Sequence, residues 1–286
     1  MAAATPTATL LVSCPDQKGI VAALAQLLYG HGANILDADQ HTDTAAGVFF
    51  QRIRFDLSEL RTDRTALEQA IREVAQRLRM DWRLAYADER KRMAIFVSKT
   101  DHCLYDLLLR HRAGELACDI PLIVSNHPEL EPVARHFGIA YRVFAIAPET
   151  KRAQEEAELA LLAEQRIDLV VLARYMQVLS SEFVLRYRGR IINIHHSFLP
   201  AFSGGRPYHQ AHERGVKLIG ATAHYATKDL DEGPIIEQDV IRVSHHESVR
   251  ELQRKGADVE RLVLSRAVSW HCDDRVIRDG NTTVVF

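Results

Sequence analysis

Residues 191–238 read IINIHHSFLPAFSGGRPYHQAHERGVKLIGATAHYATKDLDEGPIIEQ, and their reading decides the fold. Ile191, Ile192 and Ile194 form a short apolar run into which Asn193 and His195 are set. Such a run suits a strand buried on both faces, the kind that parallel sheets use. Alternate strand side chains share a face, so Asn193 and His195 point one way and Ile194 points into the core. Doubly wound sheets carry their sites at the carboxyl ends of strands, which makes HSFLPAF a site loop stiffened by Pro200. A second strand, GATAHYA, precedes the acidic turn Leu230–Pro234, and adjacent strands would bring Asp231 beside the imidazole.

Upstream of this stretch, apolar runs at 94–98, 122–125, 140–146 and 169–173 alternate with helical patterns at about 102–113, 130–137, 151–165 and 180–186. That rhythm predicts an α/β fold with a doubly wound, mostly parallel sheet. Downstream, strands are predicted at 218–226 and 234–243, then a helix near 246–270 and a terminal strand in NTTVVF. The first 90 residues differ. Strand patterns at 8–18, 33–39, 48–57 and 82–87 flank helical stripes at 19–32 and 63–78, a split βαβ unit (βαββαβ) of ferredoxin-like type. ADERKR (87–92) reads as a solvated junction, so the expected domains are 1–90 and 91–286.

Composition narrows the function. The 286 residues are 47% hydrophobic and 26% charged, as in globular proteins. Lys plus Arg number 36 against 38 Asp plus Glu, so nothing argues for nucleic acid or an anionic membrane. The opening MAAATPTATL lacks a signal-peptide pattern, and no apolar run reaches the ~20 residues of a membrane span. Cys14, Cys103, Cys118 and Cys272 are scattered, as reduced thiols of a cytoplasmic protein are. The glutamates in 155–158 read as an exposed helix face.

An amide donor, an imidazole and a carboxylate at strand ends are the parts needed to attack a carbonyl. Asn193 would donate to a developing oxyanion. His195 would donate to it or shuttle a proton, and Asp231 would orient His195 or accept a proton. A zinc site from His195, His196 and His224 is the weaker reading, for want of clustered Cys or an HExxH helix. Cys103 reads as a buried helix-start thiol and Gly204–Gly205–Arg206 as a turn.

The stretch NIHHSFLPAFSGGRPYHQAHERGVKLIGATAHY, with LDEGPIIEQDV after it, resembles the formyltransferase-type folate enzymes, and within them the formyltetrahydrofolate deformylases. The N-terminal unit, with its CPDQKGIVAALA opening, is similar to an ACT domain. The resemblance implies hydrolysis of 10-formyltetrahydrofolate to tetrahydrofolate and formate, which supplies formate to purine biosynthesis and balances the folate pool. It implies that folate and water are the reactants, with no metal or other cofactor. It puts Asn193, His195 and Asp231 in the catalytic places. LARYMQVLS (172–180) matches the segment lining the folate pocket, where Met176, Val178 and Leu179 would meet the pterin. Ala226, Thr227, Lys228 and Asp229 match the loop whose backbone closes on that ring, and Thr222 falls where a small hydroxyl residue supports substrate binding.

Formyl transfer to a small amine such as glycinamide ribonucleotide is the alternative. The related transferases hold a phosphate on a Gly-rich loop after their first strand; here VSKTDHCLYDLL (97–108) has no glycine, and Asp101 repels phosphate. Water is therefore the expected acceptor, with Lys99, Asp101 and His102 capping the acceptor pocket. ACT domains pair and bind amino acids, which implies a homo-oligomer (dimer or tetramer). It also marks Asp16, Lys18, Gly19, Asn34 and Ile35 as effector-binding residues, a purely structural role being the competing reading.

Overall fold

The structure is a computed structural model and describes residues 5–201 and 207–286. The chain forms two compact units. The first runs β1 (Thr7–Pro15), α1 (Ile20–Gly30), β2 (Asn34–Asp43), β3 (Val48–Asp56), α2 (Arg64–Leu78) and β4 (Asp81–Tyr86). Its antiparallel sheet has the order β2-β3-β1-β4, the expected ferredoxin-like arrangement. Alternation along β1 sends Ala8, Leu10, Val12 and Cys14 to one face. There they meet the i, i+4 stripes Ile20, Leu24, Leu28 of α1 and Leu67, Ile71, Ala75 of α2. Asp63 starts α2 by accepting from the Ala66 N–H.

The second unit continues with β5 (Lys91–Val97), α3 (His102–Arg112), β6 (Cys118–Ser125), α4 (Glu131–His136), β7 (Ala140–Val143), α5 (Lys151–Glu164) and β8 (Leu169–Leu172). Then come α6 (Ser181–Arg186), β9 (Ile191–His195), α7 (Pro207–Arg214), β10 (Leu218–Tyr225), β11 (Ile235–Arg242) and α8 (Val249–Cys272). Its seven-stranded sheet has the order β11-β10-β9-β8-β5-β6-β7. The five strands from β9 to β7 are parallel, while β10 and β11 add antiparallel. All four residues of β8 are buried, so its continuous apolar run has helices on both sides. Phe96 packs edge-on against Tyr175 at 5.2 Å and against Phe183 at 6.0 Å, tying the sheet to the segment after β8. Ser248 and Glu251 form a capping box that starts α8.

The chain ends in a hairpin, β12 (Val276–Asp279) and β13 (Thr282–Val285), turning at Gly280 with φ +54°. Residues 274–279 and 283–286 group with the first unit, whereas the sequence had assigned everything after residue 90 to one domain. Ile277, Val284 and Phe286 cover Leu11 and Phe50 on the sheet face opposite the helices. The four-stranded sheet is therefore covered on that face by the hairpin. Two elements escaped the sequence reading: β12 and α7, the latter a short helix with Pro207 in its first turn.

Candidate active site

Strand register assembles the site. Opposite residues of an antiparallel pair share a face. His195 lies across from Thr222, and Asn193 across from His224. The four side chains thus form a patch on one side of the sheet. Beyond β10, Ala226 N–H bonds to Ile191 O, and the loop folds back to put Asp231 over this patch. Asp231 makes that turn with φ +58°, a left-handed conformation that Asp tolerates better than most residues.

Asp231 Oδ2 sits 3.2 Å from His195 Nδ1, and Oδ1 sits 3.7 Å from His224 Nε2. The hydrogen bond from His195, reinforced by His224, holds the Asp231 carboxyl far below the usual carboxylate range. So weak a base is suited to orienting an imidazole, not to taking a proton. With Nδ1–H directed at Asp231, His195 presents Nε2 as its reactive nitrogen. That nitrogen is buried and has no hydrogen-bond partner, as a group awaiting substrate would be.

His224 is a member of the site that the sequence offered only as an unfavoured zinc ligand. Its Nδ1 lies 3.1 Å from Tyr225 O and its Nε2 3.2 Å from Asn193 Nδ2. Nδ1–H donates to the carbonyl, and Nε2 stands between the Asn193 amide and Asp231 Oδ1. The available signal was its spacing, two residues after Thr222 on the same strand face. What draws His195 and His224 together is a carboxylate between them. The described His, Cys and carboxylate groups close enough to share a cation are instead His102, Cys103 and Glu260. There burial keeps the Cys103 thiol protonated, its pKa raised well above normal, and Glu260 is already engaged by its neighbours.

A cleft of ≈ 350 Å³ opens over the patch, lined by Asn193, His195, His196, His224 and Asp231, by residues 174–179 and by 226–231. Met176 and Val178 are 59% and 56% exposed at its edge, apolar surface that suits a flat ring. Leu179 is half-buried, and Ala226, Thr227, Lys228 and Asp229 line the opposite wall, with Thr227 Oγ1 donating to Asp229 O at 3.0 Å. His196 also lines the cleft; burial, aided by the nearby Arg174 charge, pushes its pKa down to about 4. Thr222 is not in the lining. It is fully buried, donates to Ser197 O at 2.9 Å and accepts from Leu199 N–H at 3.0 Å, so it shapes the loop behind His195.

The expected acceptor-side trio is divided. Lys99 and Asp101 are exposed and outside the cleft lining, and Lys99 pairs with Glu129 at 3.4 Å. His102 turns inward to Glu260, its Nε2 2.7 Å from Oε2. In the first unit, Asp16, Lys18 and Gly19 are exposed at the start of α1, and Asn34 and Ile35 at the start of β2. Gly19 takes φ +92° there, and no side chain caps the helix. Gly204, Gly205 and Arg206 lie outside the described residues.

The expectation of an exposed glutamate face on α5 holds for Glu156 and is overturned for Glu155 and Glu158. Glu155 is 5% and Glu158 0% exposed. Both face the cleft-lining segment: Ser180 N–H donates to Glu155 at 3.1 Å, and Tyr175 Oη donates to Glu158 at 3.1 Å. Charge alternation on a helix says nothing about which carboxylates find partners inside. Burial raises the Glu158 pKa to about 7. A raised folded-state value adds stability that is complete below the unfolded value and is lost as pH rises towards 7. Glu158→Gln keeps an acceptor for Tyr175 without the charge. It should raise the melting temperature at pH 8 by roughly 2–4 °C and change it little at pH 5, as read by thermal melts.

Residues 91–268 match the formyl transferase family and residues 8–76 the ACT domain. A formyltetrahydrofolate deformylase of Synechocystis sp. is 57% identical over 98% of this chain and 98% of its own. The crystal structure of a formyltetrahydrofolate deformylase from Pseudomonas syringae pv. tomato superposes with a TM-score of 0.97 at 43% identity, covering 100% of this chain and 96% of that one. A glycinamide ribonucleotide transformylase from Symbiobacterium toebii is more distant, with a TM-score of 0.65, 29% identity and cover of 69% of this chain and 94% of its own. With 57% and 43% identity to the first two over nearly the whole chain, against 29% over 69% of it to the third, the chain belongs to the formyltetrahydrofolate deformylase family.

Proposed function

We propose that the chain hydrolyses 10-formyltetrahydrofolate to tetrahydrofolate and formate, with Asn193, His195 and Asp231 as its catalytic group. The observation that carries this is the unpartnered His195 Nε2 facing the cleft while Nδ1 is held by Asp231. Nε2 takes a proton from water as the water oxygen bonds to the formyl carbon. The Asn193 amide stabilises the oxyanion that forms. Nε2 then returns the proton to N10 as the C–N bond breaks, and Asp231 steadies the intervening imidazolium.

Folate lies between Met176, Val178 and Leu179 on one side and residues 226–229 on the other. The chemistry needs only substrate and water. A water acceptor is favoured over glycinamide ribonucleotide because the turn after β5 has no glycine and presents Asp101 where a phosphate would have to sit. The reading is tested by incubating the protein with 10-formyltetrahydrofolate alone. Equal release of formate and tetrahydrofolate is expected; product formed only after an amine is added would select the transferase.

The first unit binds a small amino acid at Asp16, Lys18, Gly19, Asn34 and Ile35, and its ten-residue edge strand β2 favours a homo-oligomer. The uncapped N–H groups of α1 and the exposure of these residues support this assignment. A thermal-shift panel of amino acids should give at least one ligand raising the melting temperature by a few degrees, and a flat panel would count against it.

A further inference from the structure

Arg174 occupies a costly position. Its φ of +64° belongs to the left-handed region, where an arginine is strained and a glycine is not. The backbone there is fixed, with Ser98 N–H bonding to Arg174 O at 3.3 Å and Met176 N–H to Ser98 Oγ at 2.9 Å. The side chain lines the same cleft as Asn193, His195, His196 and Asp231. Its Nε and Nη1 are buried and make no hydrogen bond.

The nearest anion is Glu260 of α8, 2% exposed, whose Oε2 lies 3.6 Å from Arg174 Nε, beyond hydrogen-bond length. Glu260 spends its oxygens elsewhere, accepting from Tyr208 Oη at 2.6 Å and lying 2.7 Å from His102 Nε2. Burial acts to raise its pKa, but the His102 hydrogen bond and the Arg174 charge outweigh it, so it stays ionised. Glu260 thus faces the guanidinium as a charge while Nε and Nη1 stay unused. Buried, unsatisfied donors of that kind are expensive unless a ligand completes them. Asp231, a carboxylate of the cleft lining, is committed to His195 and His224.

Building on the hydrolytic reading above, we propose that Arg174 holds the oxygen side of the reaction, orienting the attacking water and then pairing with the formate ion. Water adds to the formyl carbon, giving its proton to His195 Nε2. The C–N10 bond breaks with its electron pair going to nitrogen, which takes that proton back. The formic acid left behind loses its acidic proton to solvent. The resulting carboxylate has two oxygens in a plane, the shape that a guanidinium fork matches with paired N–H donors. The amine nitrogen freed by the same bond cleavage is no such group, so at the reacting end of the cleft the cation distinguishes the two products.

Arg174→Gly is a fitting variant because glycine relieves the positive φ while removing the side chain. With 10-formyltetrahydrofolate alone, it should release formate about 10²-fold more slowly with little change in KM for the folate. Sodium formate, measured against sodium chloride, should inhibit the wild type and inhibit this variant at least tenfold less well. Arg174→Lys keeps the charge that Glu260 faces and serves if the glycine variant does not fold; it should show the same loss in weaker form. If Arg174 served only as a counter-ion to Glu260, its loss would lower the melting temperature and leave formate inhibition unchanged. That result, or a wild type insensitive to formate, overturns the proposal while leaving hydrolysis intact. A wild type that releases no formate removes both readings together.

Discussion

Asp231→Asn is expected to slow formate release by about 10⁴-fold while leaving folate binding nearly intact. The argument is geometric. A carboxylate at 3.2 Å holds the His195 ring through Nδ1 and, in the proposed mechanism, supports the positive charge that the ring gains in mid-reaction. An amide of the same shape has one acceptor atom instead of two, no charge, and an N–H₂ that favours the wrong tautomer. The carboxyl's pKa lies far below the usual range, so Asp231 is ionised throughout the working pH range and its own titration does not shape the pH profile there. The depressed value also means that it contributes folded-state stability above the unfolded pKa, lost only as pH falls through the folded one. The variant should therefore melt lower at neutral pH as well. Single-turnover release, with melts as the folding control, measures both effects. Release within tenfold of wild type would remove Asp231 from the mechanism.

The second large effect is expected at Gly233, which touches no substrate. A Cβ there would lie 1.7 Å from Tyr225 O and 3.1 Å from Thr227 Cγ2. The Tyr225 carbonyl is the acceptor that orients His224, and Tyr225 N–H bonds to Pro234 O at 2.9 Å across the same turn. Gly233→Ala must push the loop and strand apart, displacing Asp231 and rotating His224 together. A shift of about 1 Å at a catalytic group costs on the order of 10²-fold in rate, and the steric conflict costs about 1–3 kcal/mol in stability. Activity and denaturant midpoint should fall in parallel. A variant with wild-type turnover would show that the 226–234 loop tolerates movement and is not what positions Asp231.

Both units were legible because their hydrophobic periods are strong and local. The stripe Ile20, Leu24, Leu28 announces a helix, and LVVL announces a buried strand. Asn193 and His195 were legible for the same reason, since alternation on β9 puts them on one face. What escaped depends on partners distant in sequence. His224 reads as an isolated histidine until strand pairing sets it beside Asn193. Glu155 and Glu158 share a face with Leu162, and only the fold reveals the Ser180 amide and Tyr175 hydroxyl that make their burial tolerable. His102 was expected at the acceptor pocket beside Asp101 and Lys99. It turns away because Glu260, on the last long helix, offers a stronger partner.

The C-terminal hairpin makes the first unit discontinuous in sequence: the chain leaves it at Arg90 and rejoins it at Asp274. Topologically, the catalytic unit is an insertion. During synthesis the face bearing Leu11 and Phe50 must wait for Ile277, Val284 and Phe286, a delay of roughly 10–40 s at ordinary elongation rates. Translation thus finishes the hydrolase core before the module that came out of the ribosome first. A single cut in the 87–92 junction would leave two fragments that still share this module, one carrying its sheet and the other the residues that cover it.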